Sequence, residues 1–287
     1  MFTKLSRHDG TSTTAIPVAL SRPLTRRALR GRRLLKRFLY SQLAMRQAFM
    51  IAIGKEQPIV NFTVEADPPS VYFVYRLRPE IVPELGDILG LPPEFASSPL
   101  RCLATDEPAH LLVLNVYRVS GLAKGLRAEW SVFVGDAGGV PRYMVFDARS
   151  SLPSMDPIDV ITRKSTVEHE RTGSTITLRV GDGDVAFTST IEIPPGDSAP
   201  LVQTAPEWST ANDYIYWGNG ICDRTYYDAG MAAARVRSVP SAAVTISDGT
   251  PWADLVEPGP VHVLVFEDAI ELAITPWENL AQLDPPR

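Results

Sequence analysis

Apolar and polar positions alternate along much of the chain, most densely from Leu111 to Ile193. Val71–Arg76 predicts a strand, as do Leu111–Ser120, Leu126–Val134 and Arg142–Ala148. A turn containing Gly121 and Gly125 joins the second of these to the third, and Asp136-Ala-Gly-Gly139 makes a tight hairpin into the fourth. Thr175–Val180 and Val185–Ile193 flank Gly181-Asp-Gly-Asp184, a further hairpin signal. The series predicts an antiparallel β-meander, closed or strongly curled. Val261–Phe266 and Glu271–Thr275 add two strands near the C-terminus. The fold class expected is α+β, mainly antiparallel β.

Helical spacing is rarer. From Thr25 onward Leu24, Ala28, Leu35, Phe38, Leu39 and Leu43 recur at roughly helical intervals, with seven Arg and Lys side chains between Arg26 and Arg37 on the other faces. Lys36, Arg37 and Arg46 interrupt the apolar run, so this segment predicts a basic docking helix and not a membrane span. Pro79–Leu91 predicts a short helix stopped by Gly90 and Pro92-Pro93. Residues 1–20 show no sustained period and no signal-peptide pattern. The expected division is an N-terminal arm over 1–60 and a β domain over 61–287.

Composition narrows the function classes. The chain of 287 residues is long enough to bury a sizeable core, and 25 prolines suit a loop- and strand-rich fold better than a helix bundle. Cys102 and Cys222 have no metal-type spacing, which implies a reduced, cytoplasmic setting. His8, His110, His169 and His262 are scattered, so no zinc site follows from spacing. The net charge of −5 conceals a division. Residues 1–60 carry twelve Lys and Arg against Asp9 and Glu56, about +10, and the remainder carries about −15. A basic arm on an acidic body implies contact with that body or with a neighbouring subunit. Nucleic acid or an anionic membrane is the competing partner.

One acid stands out. Glu129 lies between Ala128 and Trp130 in a segment that otherwise reads as buried strand. A carboxylate among apolar neighbours has its charged form disfavoured, which is how enzymes obtain a proton donor near neutral pH. A solvated strand glutamate paired with Arg127 or Arg142 is the ordinary alternative. Arg76 can fork onto a substrate carboxylate or pair with Glu80. Asp156, beside Glu129, would complete an acid pair, or merely cap its loop before Pro157. Asn212–Tyr227 is dense in hydrogen-bonding aromatics. Its Tyr214, Tyr216, Trp217 and Asn219 suit a pocket mouth or a subunit interface. Tyr117 and Trp130 complete the substrate-binding set. No phosphate-binding glycine loop and no Gly-x-Ser-x-Gly elbow occurs.

The order of these features resembles the acetoacetate decarboxylase-like superfamily over about residues 70–195. The matching parts are Phe73-Val-Tyr-Arg76, the Leu-Pro-Pro-Glu-Phe of Leu91–Phe95, the strand Leu111–Tyr117 and the glutamate in Leu126-Arg-Ala-Glu-Trp-Ser-Val-Phe-Val134. The resemblance implies a curled β-meander forming a cone around a small apolar pocket, often in large homo-oligomers. It also implies a Schiff-base lysine beside a second lysine, with a glutamate that positions substrate and moves protons. Glu129 takes the place of that glutamate. The lysine segment should fall near Ser150–Val160, which contains no lysine, so Lys164 is the nearest candidate.

These observations lead to an enzyme of lyase, dehydratase or cyclase type, without a cofactor, acting on an enolisable carbonyl substrate with Glu129 as acid/base. A place in specialised metabolism fits that chemistry. A Schiff-base decarboxylase or aldolase using Lys164, and a non-catalytic binding protein with the same pocket, are the alternatives.

Overall fold

The computed structural model describes residues 60–91, 95–101, 107–120, 124–135, 141–151, 162–209, 213–218 and 221–275. All but one residue of the basic arm, and Asp156 and Asn219, lie outside these. The strands up to the centre of the chain are β1 Val60–Val64, β2 Val71–Arg76, β3 Ala96–Ser97, β4 Leu100–Arg101, β5 Pro108–Ala109, β6 Leu111–Ser120, β7 Gly125–Gly135 and β8 Pro141–Ser150. After them come β9 Thr162–Lys164, β10 Val167–Thr172, β11 Thr175–Asp182, β12 Val185–Glu192 and β13 Ala199–Pro200. The last are β14 Asp213–Gly218, β15 Ile221–Ala229, β16 Arg235–Val239, β17 Val244–Asp248, β18 His262–Phe266 and β19 Ile270–Thr275.

Strand pairing curls the main sheet on itself. From β6 the pairing passes to β7, β8, β14, β15, β19 and β1, and β1 returns to β6. On the other edge of β6, β2 continues through β18 and β16 to β13. Most pairs are antiparallel, as the alternation predicts. The exceptions are β8 with β14 and β8 with β9, both parallel. The run to Ile193 is not one continuous curl, because β10, β11, β12 and β17 form a separate four-stranded sheet. The Pro79–Leu91 helix is shorter than predicted. A 3-10 turn at Val82–Glu84 leads into an α-helix at Leu85–Leu89, and Gly90 closes it at φ 61. Pro83, which has no N–H to donate, fits only the opening turn.

Period-two alternation sorts the side chains into two cores. Phe73, Leu114, Trp130, Val132 and Met144 point out of the curl and pack with Ile176, Leu178 and Phe187 of the smaller sheet. Tyr72, Val113, Phe133, Tyr143 and Val145 point into the curl, where Trp208 and Phe266 meet them. A bulge in the β7–β8 ladder between Trp130 and Ser131 keeps both faces in step, so that Glu129 opposes Ala148 and Ser131 opposes Val145. Both faces of β7 are therefore buried. Among the described residues no helix is long and apolar enough to cross a membrane.

Candidate active site

The inner face of the curl is built in rows set by strand register. Tyr72, Asn115, Glu129 and Ala148 form one row across β2, β6, β7 and β8. On one side lies the row Tyr117, Arg127, Ser150 and Lys164. On the other lies Val113, Ser131, Val145 and Tyr216, and beyond it Phe133, Tyr143 and Tyr214. Arg127, Glu129, Ser131 and Phe133 share a face because they are alternate residues of a single strand.

Glu129 is 3% exposed and both its carboxylate oxygens accept hydrogen bonds. Arg127 Nε donates to Oε1 at 2.5 Å, and Asn115 Nδ2 approaches Oε2 at 3.5 Å. Arg127 is itself 2% exposed, so this is an ion pair with both charges out of water. Such a pair holds its geometry only while both partners are present. Ala128 and Trp130, the strand neighbours, face the other side of the sheet. The setting of Glu129 is thus a polar cluster inside an apolar wall, and not the purely apolar environment that the linear sequence suggests.

Two tyrosines complete the cluster. The Tyr72 hydroxyl is pushed above the usual tyrosine range by burial, against hydrogen bonding from Asn115 and Ser70. Tyr143 is pushed well above that range by burial, and then by the proximity of Tyr72. Both phenols stay neutral donors at physiological pH. Aromatic rings line the rest of this end. Trp208 stacks on Tyr143 with centroids 6.4 Å apart and meets Phe133 edge-on at 5.9 Å. Tyr214 meets Tyr143 at 5.1 Å. A cavity beside Phe133 and Trp208 measures about 10 Å³, too small for more than a water-sized group.

The other expected residues divide. Tyr117, Tyr214 and Tyr216 come to the inner face with Glu129. Trp130 does not. It is buried between the sheets, with Arg149 6.0 Å from its ring centroid. Arg76 is half-buried at the end of β2, and its Nε lacks a hydrogen-bond partner among the described residues. Lys164 is exposed at the sheet margin. Its register position beside Ser150 puts it two strands and one row from Glu129, about 12 Å between Cα atoms from ordinary sheet spacings. Trp217 belongs to β14, but its side chain is not among those described. Among the described residues no three His, Cys, Asp or Glu side chains stand close enough to share a metal ion.

Five residues of the cluster are absent from the sequence-based set: Tyr72, Asn115, Arg127, Ser131 and Tyr143. Their signal was available. Arg127, Glu129 and Ser131 alternate with Ala128, Trp130 and Val132, which marks a polar face on a strand otherwise apolar, and Asn115 interrupts Leu111–Val116 in the paired strand.

No family model matches the sequence, and no curated protein matches it. Among solved structures, the chain is similar to an acetoacetate decarboxylase-like enzyme from Sphingomonas wittichii RW1, with a TM-score of 0.50 and 8% identity, covering 78% of this chain and 92% of that one. The likeness extends well beyond residues 70–195, over which the motifs carry the resemblance. The chain therefore has the acetoacetate decarboxylase-like fold.

Proposed function

We propose that the chain is a cofactor-independent enzyme that moves a proton on a small enolisable carbonyl compound, as part of a lyase, dehydratase or cyclase reaction. The observation that supports this most is the buried Glu129 carboxylate, oriented by Arg127 and Asn115 on the inner face of the curl. Orientation is what a general base needs first, because proton transfer depends on geometry before acidity. Neutral tyrosine hydroxyls nearby can donate to an oxygen that gains charge as the α-proton leaves. Deuterium wash-in tests the reading. Small ketones and keto acids incubated in D2O with the protein should exchange their α-protons faster than in buffer. Glu129→Gln should abolish the acceleration. Because this variant leaves the Arg127 charge uncompensated, the pair Arg127→Gln/Glu129→Gln serves as the folded control. Exchange that persists in a folded variant lacking Glu129 removes that residue from the mechanism.

A second reading keeps Schiff-base chemistry at Lys164. It is favoured by the shared register row of Lys164 with Ser150, Arg127 and Tyr117. Its exposure counts against it, since nucleophilic lysines are usually desolvated. Borohydride reduction in the presence of keto acids decides. A stable adduct on Lys164 supports this reading, and no adduct from folded protein excludes it.

A further inference from the structure

The smaller sheet ends on one side in β10 and on the other in β17. A strand at a sheet edge presents a row of backbone N–H and C=O groups that its own sheet leaves unpaired. Short length, proline and charged side chains are the usual guards against pairing with another chain. The other described edges have them. β3, β4, β5 and β13 are two residues long, and β5 and β13 each include a proline. β9 is three residues long with Arg163 and Lys164 among them, and β10 carries Glu168, Glu170 and Arg171. β17 lacks these guards. It reads Val-Thr-Ile-Ser-Asp over five residues and pairs with β12 in unbroken register. On its far side it makes no backbone hydrogen bond to any described residue. Its one charged residue, Asp248, closes the strand and accepts from the Thr250 N–H at 2.8 Å. Burial falls off at the same edge. Ile191 of β12 is fully buried, whereas Val244 opposite it and Ile246 are half-buried against the core between the sheets. Thr245 and Ser247 are exposed on the outer face.

We propose that β17 pairs with β17 of a second copy of this chain, antiparallel about a two-fold axis through Ile246, and joins the two smaller sheets into one. The strand suits its own reverse. This register pairs all five residues, setting Ile246 against Ile246 of the copy, Thr245 against Ser247 and Val244 against Asp248. A two-fold axis perpendicular to the sheet keeps outer residues on the outer face and inner residues on the inner one. Hydroxyls therefore meet across the outer face, and Ile246 covers its equivalent on the inner face. The charges are compatible, because each Asp248 faces a valine and no like charges come together. Pairing satisfies the open row of backbone groups and removes Val244 and Ile246 further from water. An unrelated extended peptide could use the backbone row, but the match in face pattern and charge favours a second copy. The contact is independent of the chemistry proposed at Glu129.

Sedimentation velocity of the full chain over a dilution series tests the contact. The unaltered chain should self-associate. Thr245→Lys/Ser247→Lys sets lysine opposite lysine at two places in the pairing, and should weaken association roughly tenfold or more. Thr245→Lys/Ser247→Glu sets each lysine opposite a glutamate of the copy, and should restore association. Both positions are exposed, so the circular dichroism spectra of the two variants should match that of the unaltered chain. The variants also share the change at Thr245, so the difference between them reads the pairing and not a folding defect from that lysine. An unaltered chain that stays monomeric throughout the series overturns the proposal and leaves the edge to another protein. Unchanged association in Thr245→Lys/Ser247→Lys overturns it by placing the contact on a different surface. Loss of association in both variants, with unchanged spectra, overturns the two-fold register.

Discussion

The two faces of β7 are buried alike and built differently. Outward, Ala128, Trp130, Val132 and Val134 meet the smaller sheet and form a conventional apolar layer. Inward, Arg127, Glu129 and Ser131 set a guanidinium, a carboxylate and a hydroxyl at the same depth. Burying charge is costly, and an apolar replacement of such a pair is often as stable or more so. Fold stability therefore gives no reason for the inward set, whereas it fully accounts for the outward one. One face of the strand thus supports the structure, and the polar set on the other, unexplained by stability, is the set that the proposed function uses.

Perturbing each face should separate these roles. The largest effect is expected from Arg127→Gln, which strands the Glu129 carboxylate in the interior and should cost about 3–5 kcal/mol in denaturant unfolding. Adding Glu129→Gln to it should recover much of that loss, and a double variant as unstable as the sum of the single ones would show that the two side chains are not one unit. On the outward face, Trp130→Ala opens a cavity between the sheets and should cost about 3–5 kcal/mol, with no recovery from any change at Glu129.

A smaller effect is expected with pH. His169 shares its inward face with Val167, is 2% exposed, and has both ring nitrogens unpartnered among the described residues. Burial, and then the charge of Arg118, pull it down to about 3 from an ordinary value of 6.5. Its folded-state value is depressed, so the unfolded chain binds the proton first. The stability that neutral His169 preserves is fully present above pH 6.5 and is lost as the pH falls from 6.5 towards 3. The slope reaches about 1.4 kcal/mol per pH unit for this one residue. Urea midpoints measured across that window should fall, and should flatten in His169→Leu. Smallest of all should be Asp268→Asn. It removes an exposed ion pair with Arg235, and the melting curve should barely move.

The outward face was the more legible of the two in the sequence. Runs such as Leu111–Ser120 announce a strand by composition, and β6 begins and ends where that run does. The strands that escaped notice are polar or short. Val167–Thr172 reads Val-Glu-His-Glu-Arg-Thr, with only one apolar residue to set its period, and it lies on a sheet with one face in water. Asp213–Gly218 reads as a binding segment because its tyrosines are conspicuous, yet it joins β8 in parallel, a long-range pairing that no local pattern encodes. Glu129 was legible as an acid in a buried strand, but Arg127 read as an ordinary alternative partner on a solvated face. That both would be buried depends on the curl and on the second sheet, which appear only when distant segments meet. Trp130 was drawn into the site by adjacency in sequence, and strand geometry sends it to the opposite face.

The central claim is that chemistry belongs to the inner face of β7. Its most direct test is α-proton exchange in D2O, measured together for the unaltered chain, Arg127→Gln/Glu129→Gln and Trp130→Phe. Exchange above the buffer rate is expected for the unaltered chain and for Trp130→Phe, and none above it for the folded double variant. Equal exchange in the double variant, or no acceleration by the unaltered chain on any of the ketones and keto acids, would contradict it.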